Sequence, residues 1–200
     1  LGAPVPAAFP WRTVGVVSSV TLGLSLVYYV QAVQHGRIFG DLGVTSPASI
    51  SVLVTTASMG TILGGYLFKR LRRASMLQLL GSSLLAYGIA YIGIALAPTV
   101  TVGLFFDALG QVGGGIMLPS LIAWALGKYT YEHRGRGMGL WGGAFFLGAF
   151  ISPPLVSLVG YFTSGFLASI GVVGMLSLLL AALVLLVAAK GIFHVADGRE

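Results

Sequence analysis

LFFDALGQVGGGIMLPS, residues 104–120, is an apolar stretch with one carboxylate, Asp107, and one amide a helical turn later, Gln111. A glycine run at 113–115 and Pro119 follow. A charge at the centre of a bilayer costs roughly 2.5–3.5 kcal/mol on insertion scales. An acid kept in such a stretch therefore faces protein or water. Asp107 points to a polar pathway through a membrane protein, and the rest of the chain bears on that reading.

The 200 residues are 56% hydrophobic and only 8% charged. Soluble domains carry about a quarter charged residues, and so few charges could not cover a core of this size in water. Six segments are long enough to cross about 30 Å of hydrocarbon as helices: residues 14–34, 48–68, 74–97, 99–126, 137–162 and 166–189. They are long continuous apolar runs, not the short alternating strands of a membrane barrel. The expected fold is an all-α membrane protein of six transmembrane helices (residues 12–192), after a linker at 1–11 and before a cytoplasmic tail at 193–200. The chain opens on Leu1 and LGAPVPAAFP, a proline-rich linker, so a piece of something longer is expected.

The cations sort by side. Arg12, Lys69, Arg70, Arg72, Arg73, Lys128, Arg134, Arg136, Lys190 and Arg199 fall on one side of six alternating spans, and only Arg37 on the other. Cytoplasmic loops collect Lys and Arg, so both termini and both basic loops are expected in the cytoplasm, with the protein in the cell (inner) membrane. The net charge of +6 thus reflects topology and contact with anionic lipid headgroups, not nucleic acid. There is no cysteine, so thiolate metal sites and disulfides are excluded.

Asp107 lies about eight residues into the fourth segment, in the outer half of the bilayer, roughly 7 Å from the midplane by helical rise. A desolvated carboxyl group that takes up and releases a proton can couple solute movement to a proton gradient. Gln111 shares its face at i+4 and is placed to bind substrate or hydrogen-bond Asp107. Tyr28 and Gln31, at i+3, share a face of the first segment at a similar depth and complete the candidate substrate- and proton-binding set. Gln34 and His35 read as surface residues at the end of that segment. His35, His133 and His194 all fall at ends or in loops, which leaves no histidine inside a span. Three G-x-x-x-G pairs, Gly60/Gly64, Gly110/Gly114 and Gly139/Gly143, are candidates for close helix approach. Pro153 and Pro154 predict a kink or break near Ile151.

Four features resemble the C-terminal half of a major facilitator superfamily transporter, helices seven to twelve of twelve. They are the spacing of six spans with basic second–third and fourth–fifth loops, GGYLFKRLRR at 64–73, GQVGGGIMLPSL at 110–121, and EHRGRGMGLWGGAFFLGAFISPPL at 132–155. The second is similar to the family's loop motif through Gly64 or Gly65, Lys69 or Arg70, and Arg72–Arg73, but lacks its Asp and second Gly. The last resembles the RG-x-x-x-G start of the eleventh helix (Arg134, Arg136), followed by the LG-x-x-x-SP stretch of drug and sugar exporters (Gly148, Ser152, Pro153). The resemblance implies two inverted three-helix units and alternating access against an N-terminal six-helix half, in the same chain or a partner. It also implies proton-coupled efflux of a small organic molecule with no cofactor beyond the proton gradient. Arg134 and Arg136 would then form loop ion pairs with Glu132 that shift as the halves rock. An uptake carrier for a sugar or metabolite, or a non-transporting membrane scaffold, are the alternatives. An enzyme is not expected: FTSGF at 162–166 lacks the first glycine of an intramembrane serine-protease motif, no H-E-x-x-H occurs, and no His–carboxylate cluster could hold a metal.

Overall fold

The computed structural model describes residues 8–71 and 73–190. Six α-helices make up nearly all of it: α1 (Trp11–Asp41), α2 (Pro47–Arg70), α3 (Met76–Ala95), α4 (Val100–Lys128), α5 (Arg134–Tyr161) and α6 (Phe166–Ala189), with one 3₁₀ turn at Tyr131–His133. All six are long and apolar enough to cross a membrane, as in a multi-pass membrane protein. Arg72, His194, the tail and most of the linker lie outside the described residues.

Local chemistry sets the helix starts. Pro47 opens α2 behind Ser46, whose hydroxyl accepts from the Ser49 N–H. Proline lacks the N–H that a first turn leaves unpaired anyway. Ser75 and Gln78 form a reciprocal capping box at α3, with Gln78 N–H to Ser75 Oγ at 3.2 Å and Ser75 N–H to Gln78 Oε1 at 2.8 Å. Thr99 caps α4 through the Val102 N–H. Gly165, ahead of α6, sits at φ +117°, a conformation that only glycine adopts without strain.

Two boundaries differ from the sequence expectation. The first helix runs seven residues past Gln34, to Asp41, so the long loop expected at 34–47 shrinks to 42–46. Gly36 and Gly40 do not end it because Ile38 and Phe39, both fully buried, hold the extra turns against the bundle. Packing outweighs the roughly 1 kcal/mol that each glycine costs a helix. Likewise the loop expected at 127–136 is mostly helix, and only 129–133 separate α4 from α5. Helix α5 runs unbroken through Pro153 and Pro154, so of the expected kink or break the break does not occur.

The main pairings are α3 with α6, α3 with α4, α2 with α4, and α1 with α5. The core lies among α1, α3, α4 and α5, around Leu84, Tyr87, Tyr91, Met117, Leu121 and Phe145. By contrast α2 buries only Ala57 and Gly64, and α6 turns Leu176, Leu179, Leu183 and Leu186 outward. Lipid tails are as apolar as leucine, so helix association in a membrane rests on close fit instead. The α2–α4 seam supplies that fit. A Cβ on Gly60 would strike the Ala108 carbonyl oxygen, one on Gly64 the Val112 carbonyl oxygen, and one on Gly115 the Thr61 carbonyl oxygen. Of the three G-x-x-x-G pairs, Gly60/Gly64 brings helix backbones together. Gly110 and Gly114 instead make room for the side chains of Gln31 and Tyr87, and Gly139 and Gly143 touch nothing.

Candidate functional site

The α2–α4 seam and the length of α1 together create one polar cluster. Close approach at the seam sets Thr61 of α2 beside Gln111 of α4, and the Thr61 hydroxyl donates to Gln111 Oε1 at 2.8 Å. The extra turns of α1 bring His35 between Gln111 and Asp107. Its Nε2 lies 2.9 Å from Gln111 Nε2 and 3.3 Å from Asp107 Oδ1. Gln31, one turn earlier on the same face of α1, donates through Nε2 to both the backbone carbonyl and Oδ1 of Asp107 at 2.5 Å. Gly110 is what lets Gln31 in: a Cβ there would lie 2.5 Å from Gln31 Oε1.

Burial grades across the cluster. Asp107 and Gln31 are buried, Asp107 to 0% exposure, and His35 to 8%. Gln111 is half-buried and Thr61 exposed. The network thus runs from a closed carboxylate to the surface of α2. Two acceptors, Asp107 Oδ2 and Gln31 Oε1, are buried without a donor. Unpartnered buried polar atoms are uncommon and costly.

No protein-family profile matches this chain, and no curated protein matches its sequence.

The cluster joins three of the four sequence candidates, Asp107, Gln111 and Gln31. Gln111 bonds to His35 and Thr61 rather than to Asp107, because the imidazole occupies the space between them. Tyr28 packs its ring on Tyr29 and on Phe145 of α5, with centroids 5.1 and 5.3 Å away. His35 and Gln34 correct the surface reading, since both are buried within α1. The missed signal was the i+4 spacing of Gln31 and His35, which stacks them on one face if the helix continues. Thr61 carried no signal beyond its place beside Gly60. Among the described residues, no three His, Asp or Glu side chains gather as metal ligands would.

The remaining motif residues lie elsewhere. Gly64 is buried in the α2–α4 seam, while Gly65 points into open space. Lys69, Arg70 and Arg73 are exposed, and Arg70 bonds through Nε to the Tyr66 hydroxyl at 2.8 Å. Gly148 admits Ser25 of α1, Pro153 is half-buried and Pro154 exposed. The expected Glu132 ion pairs are absent among the described residues, where the one approach of a basic to an acidic side chain is that of His35 to Asp107. Arg136 instead lies over the rings of Phe9 (4.4 Å) and Trp11 (4.8 Å), and Phe9 meets His133 edge-on at 5.4 Å. Two aromatic faces suit a planar guanidinium better than a flexible surface carboxylate does. Arg136→Lys is expected to lower stability by about 0.5–1 kcal/mol, with Arg134→Lys, at an exposed position, unchanged. Thermal unfolding of the two variants in detergent checks this.

Proposed function

We propose that this chain is one six-helix half of a secondary active transporter of the major facilitator type, coupling export of a small organic molecule to proton entry. The observation that carries the reading is the cluster of carboxylate, imidazole, amides and hydroxyl drawn from α1, α2 and α4, buried at one end and open at the other. Ionisable groups inside membrane helices mark ion and solute pathways more often than packing. The pairing pattern adds support. Exchanging α1–α3 with α4–α6 turns the α1–α5 contact into α4–α2, both extensive, while the extensive α3–α4 contact maps onto the slight α1–α6 one. Two inverted three-helix units would be related in this way. In this reading the exposed face of α2, with Thr61, lines a cavity closed by a second six-helix half. The basic ends, Lys69, Arg70, Arg73, Lys128 and Arg134, lie at the cytoplasmic headgroups.

One observation favours a membrane scaffold instead: Asp107 is fully buried, and the apolar grooves at the α3–α6 edge do not reach it. The test is proton movement in vesicles that hold the intact polypeptide, challenged with a panel of small organic solutes. A solute that evokes a proton flux supports the transporter. A panel that evokes none, from a protein folded and inserted, favours the scaffold.

A further inference from the structure

We propose that His35 and Asp107 hold one exchangeable proton between them, and that the Gln111 amide turns with it to report the state of the pair to Thr61. The inference deepens the transport reading and rests on it for its purpose, not for its chemistry.

The argument is one of donors and acceptors. A ring nitrogen carries either a hydrogen or a lone pair. Gln111 presents its NH₂ to His35 Nε2 because its carbonyl oxygen is engaged by the Thr61 hydroxyl. In that state Nε2 offers its lone pair, and the imidazole is neutral with its hydrogen on Nδ1. The same lone pair faces Asp107 Oδ1 at 3.3 Å with no hydrogen between them. One proton from water, added at Nε2, makes an imidazolium that donates to Oδ1. The cluster then goes from one negative charge to none. Gln111 now faces an N–H with an NH₂, two donors opposed, and its amide turns over. Its Oε1 then shares the one Nε2–H with Asp107 Oδ1 as a second acceptor, and its NH₂ donates to Thr61 Oγ1, which accepts as readily as it donates. The two ends of an amide have nearly the same shape, so the turn needs no new space. No proton beyond the one taken up is gained or lost.

Few other titratable groups surround the pair. From α3, the titratable groups nearest the cluster are Tyr87, whose hydroxyl lies against Gly114, and Tyr91, which donates to the Val27 carbonyl at 2.6 Å. On α1, Tyr28 and Tyr29 precede the cluster, and Arg37, which lies over the Phe166 ring, and Asp41 follow it. Phenols ordinarily ionise only near pH 10. Helix α2 has no titratable group before Tyr66, α4 none but Asp107 before Lys128, α5 none between Arg136 and Tyr161, and α6 none. Thr61 is exposed, so the turn of the amide changes which hydrogen-bonding group, hydroxyl hydrogen or lone pair, α2 presents outward.

The test is nuclear magnetic resonance of the intact polypeptide in lipid nanodiscs, labelled with ¹⁵N at histidine and glutamine. His35→Asn and Gln111→Leu identify the two signals. As pH falls, His35 Nε2 is expected to pass from bare to protonated, and the Gln111 side-chain amide signal to shift at the same midpoint. In Asp107→Asn, which removes the carboxylate oxygen 3.3 Å from Nε2, the midpoint of that step should move. A His35 signal that does not titrate, or one that Asp107→Asn leaves unmoved, overturns the shared proton. A Gln111 signal that stays fixed through the step overturns its role as reporter. The spectra need no solute. A missing step therefore overturns this inference whatever the chain transports, and a clean step in a protein that moves no solute overturns the transport reading alone.

Discussion

On the proposed transport function, Asp107→Asn is expected to abolish solute accumulation driven by a proton gradient while exchange of solute at equal pH continues. A gradient of one pH unit is worth about 1.4 kcal/mol per proton, enough for roughly tenfold accumulation at one proton per solute. The variant should fall to about onefold. Asparagine keeps the size of the side chain and an oxygen for Gln31 Nε2, so the bundle folds. Even a harsher change, Asp107→Leu, strands only Gln31 and His35. Lost polar contacts between membrane helices average about 0.6 kcal/mol, with a maximum near 1.7. Loss of folding on that scale cannot account for complete loss of coupling. Accumulation in inside-out vesicles, beside solute counterflow without a gradient, reads the two activities separately. An Asp107→Asn protein that still concentrates solute tenfold removes Asp107 from the coupling site.

The second large effect is structural. Gly64→Val drives a branched side chain into the Val112 carbonyl oxygen and the Gly115 Cα, where neither backbone can give way. Overpacking costs about 1–3 kcal/mol even where side chains can shift, and here backbone meets backbone. Helix α2 buries almost nothing else, so the expected result is its detachment from α4 and loss of the Thr61–Gln111 bond. Gly65→Val, one residue on and facing open space, should leave stability unchanged. Cross-linking between cysteines placed on α2 and α4, with thermal unfolding in detergent, compares the two. Equal stability for both variants would contradict the seam.

The six helices could be read from the sequence because each is a long continuous apolar run. Asp107 could be found because an acid in such a run is costly. The depth match between Gln31 and Asp107 followed from antiparallel helices and a constant rise per residue. His35 was hidden because HGRIFGD carries the residues of a turn, and only the burial of Ile38 and Phe39 keeps it helical. That burial depends on helices distant in sequence. The pairing of Gly64 with Gly115, which seats Thr61 on Gln111, is equally a matter of which helices meet. The cation–π seat of Arg136 escaped because Phe9 and Trp11 approach from the far end of the chain.

The most direct test of the central claim is the water accessibility of α2 at Thr61. The chain has no cysteine of its own, so Thr61→Cys in the intact polypeptide reports without background. Leu179→Cys, on the outward face of α6, is the lipid-facing reference. The transporter reading predicts that a membrane-impermeant maleimide labels Thr61→Cys at least tenfold faster than Leu179→Cys, because Thr61 faces an aqueous cavity. Equal, negligible labelling of both would place Thr61 in lipid or in a dry interface, and would leave the cluster as a packing device in a membrane scaffold.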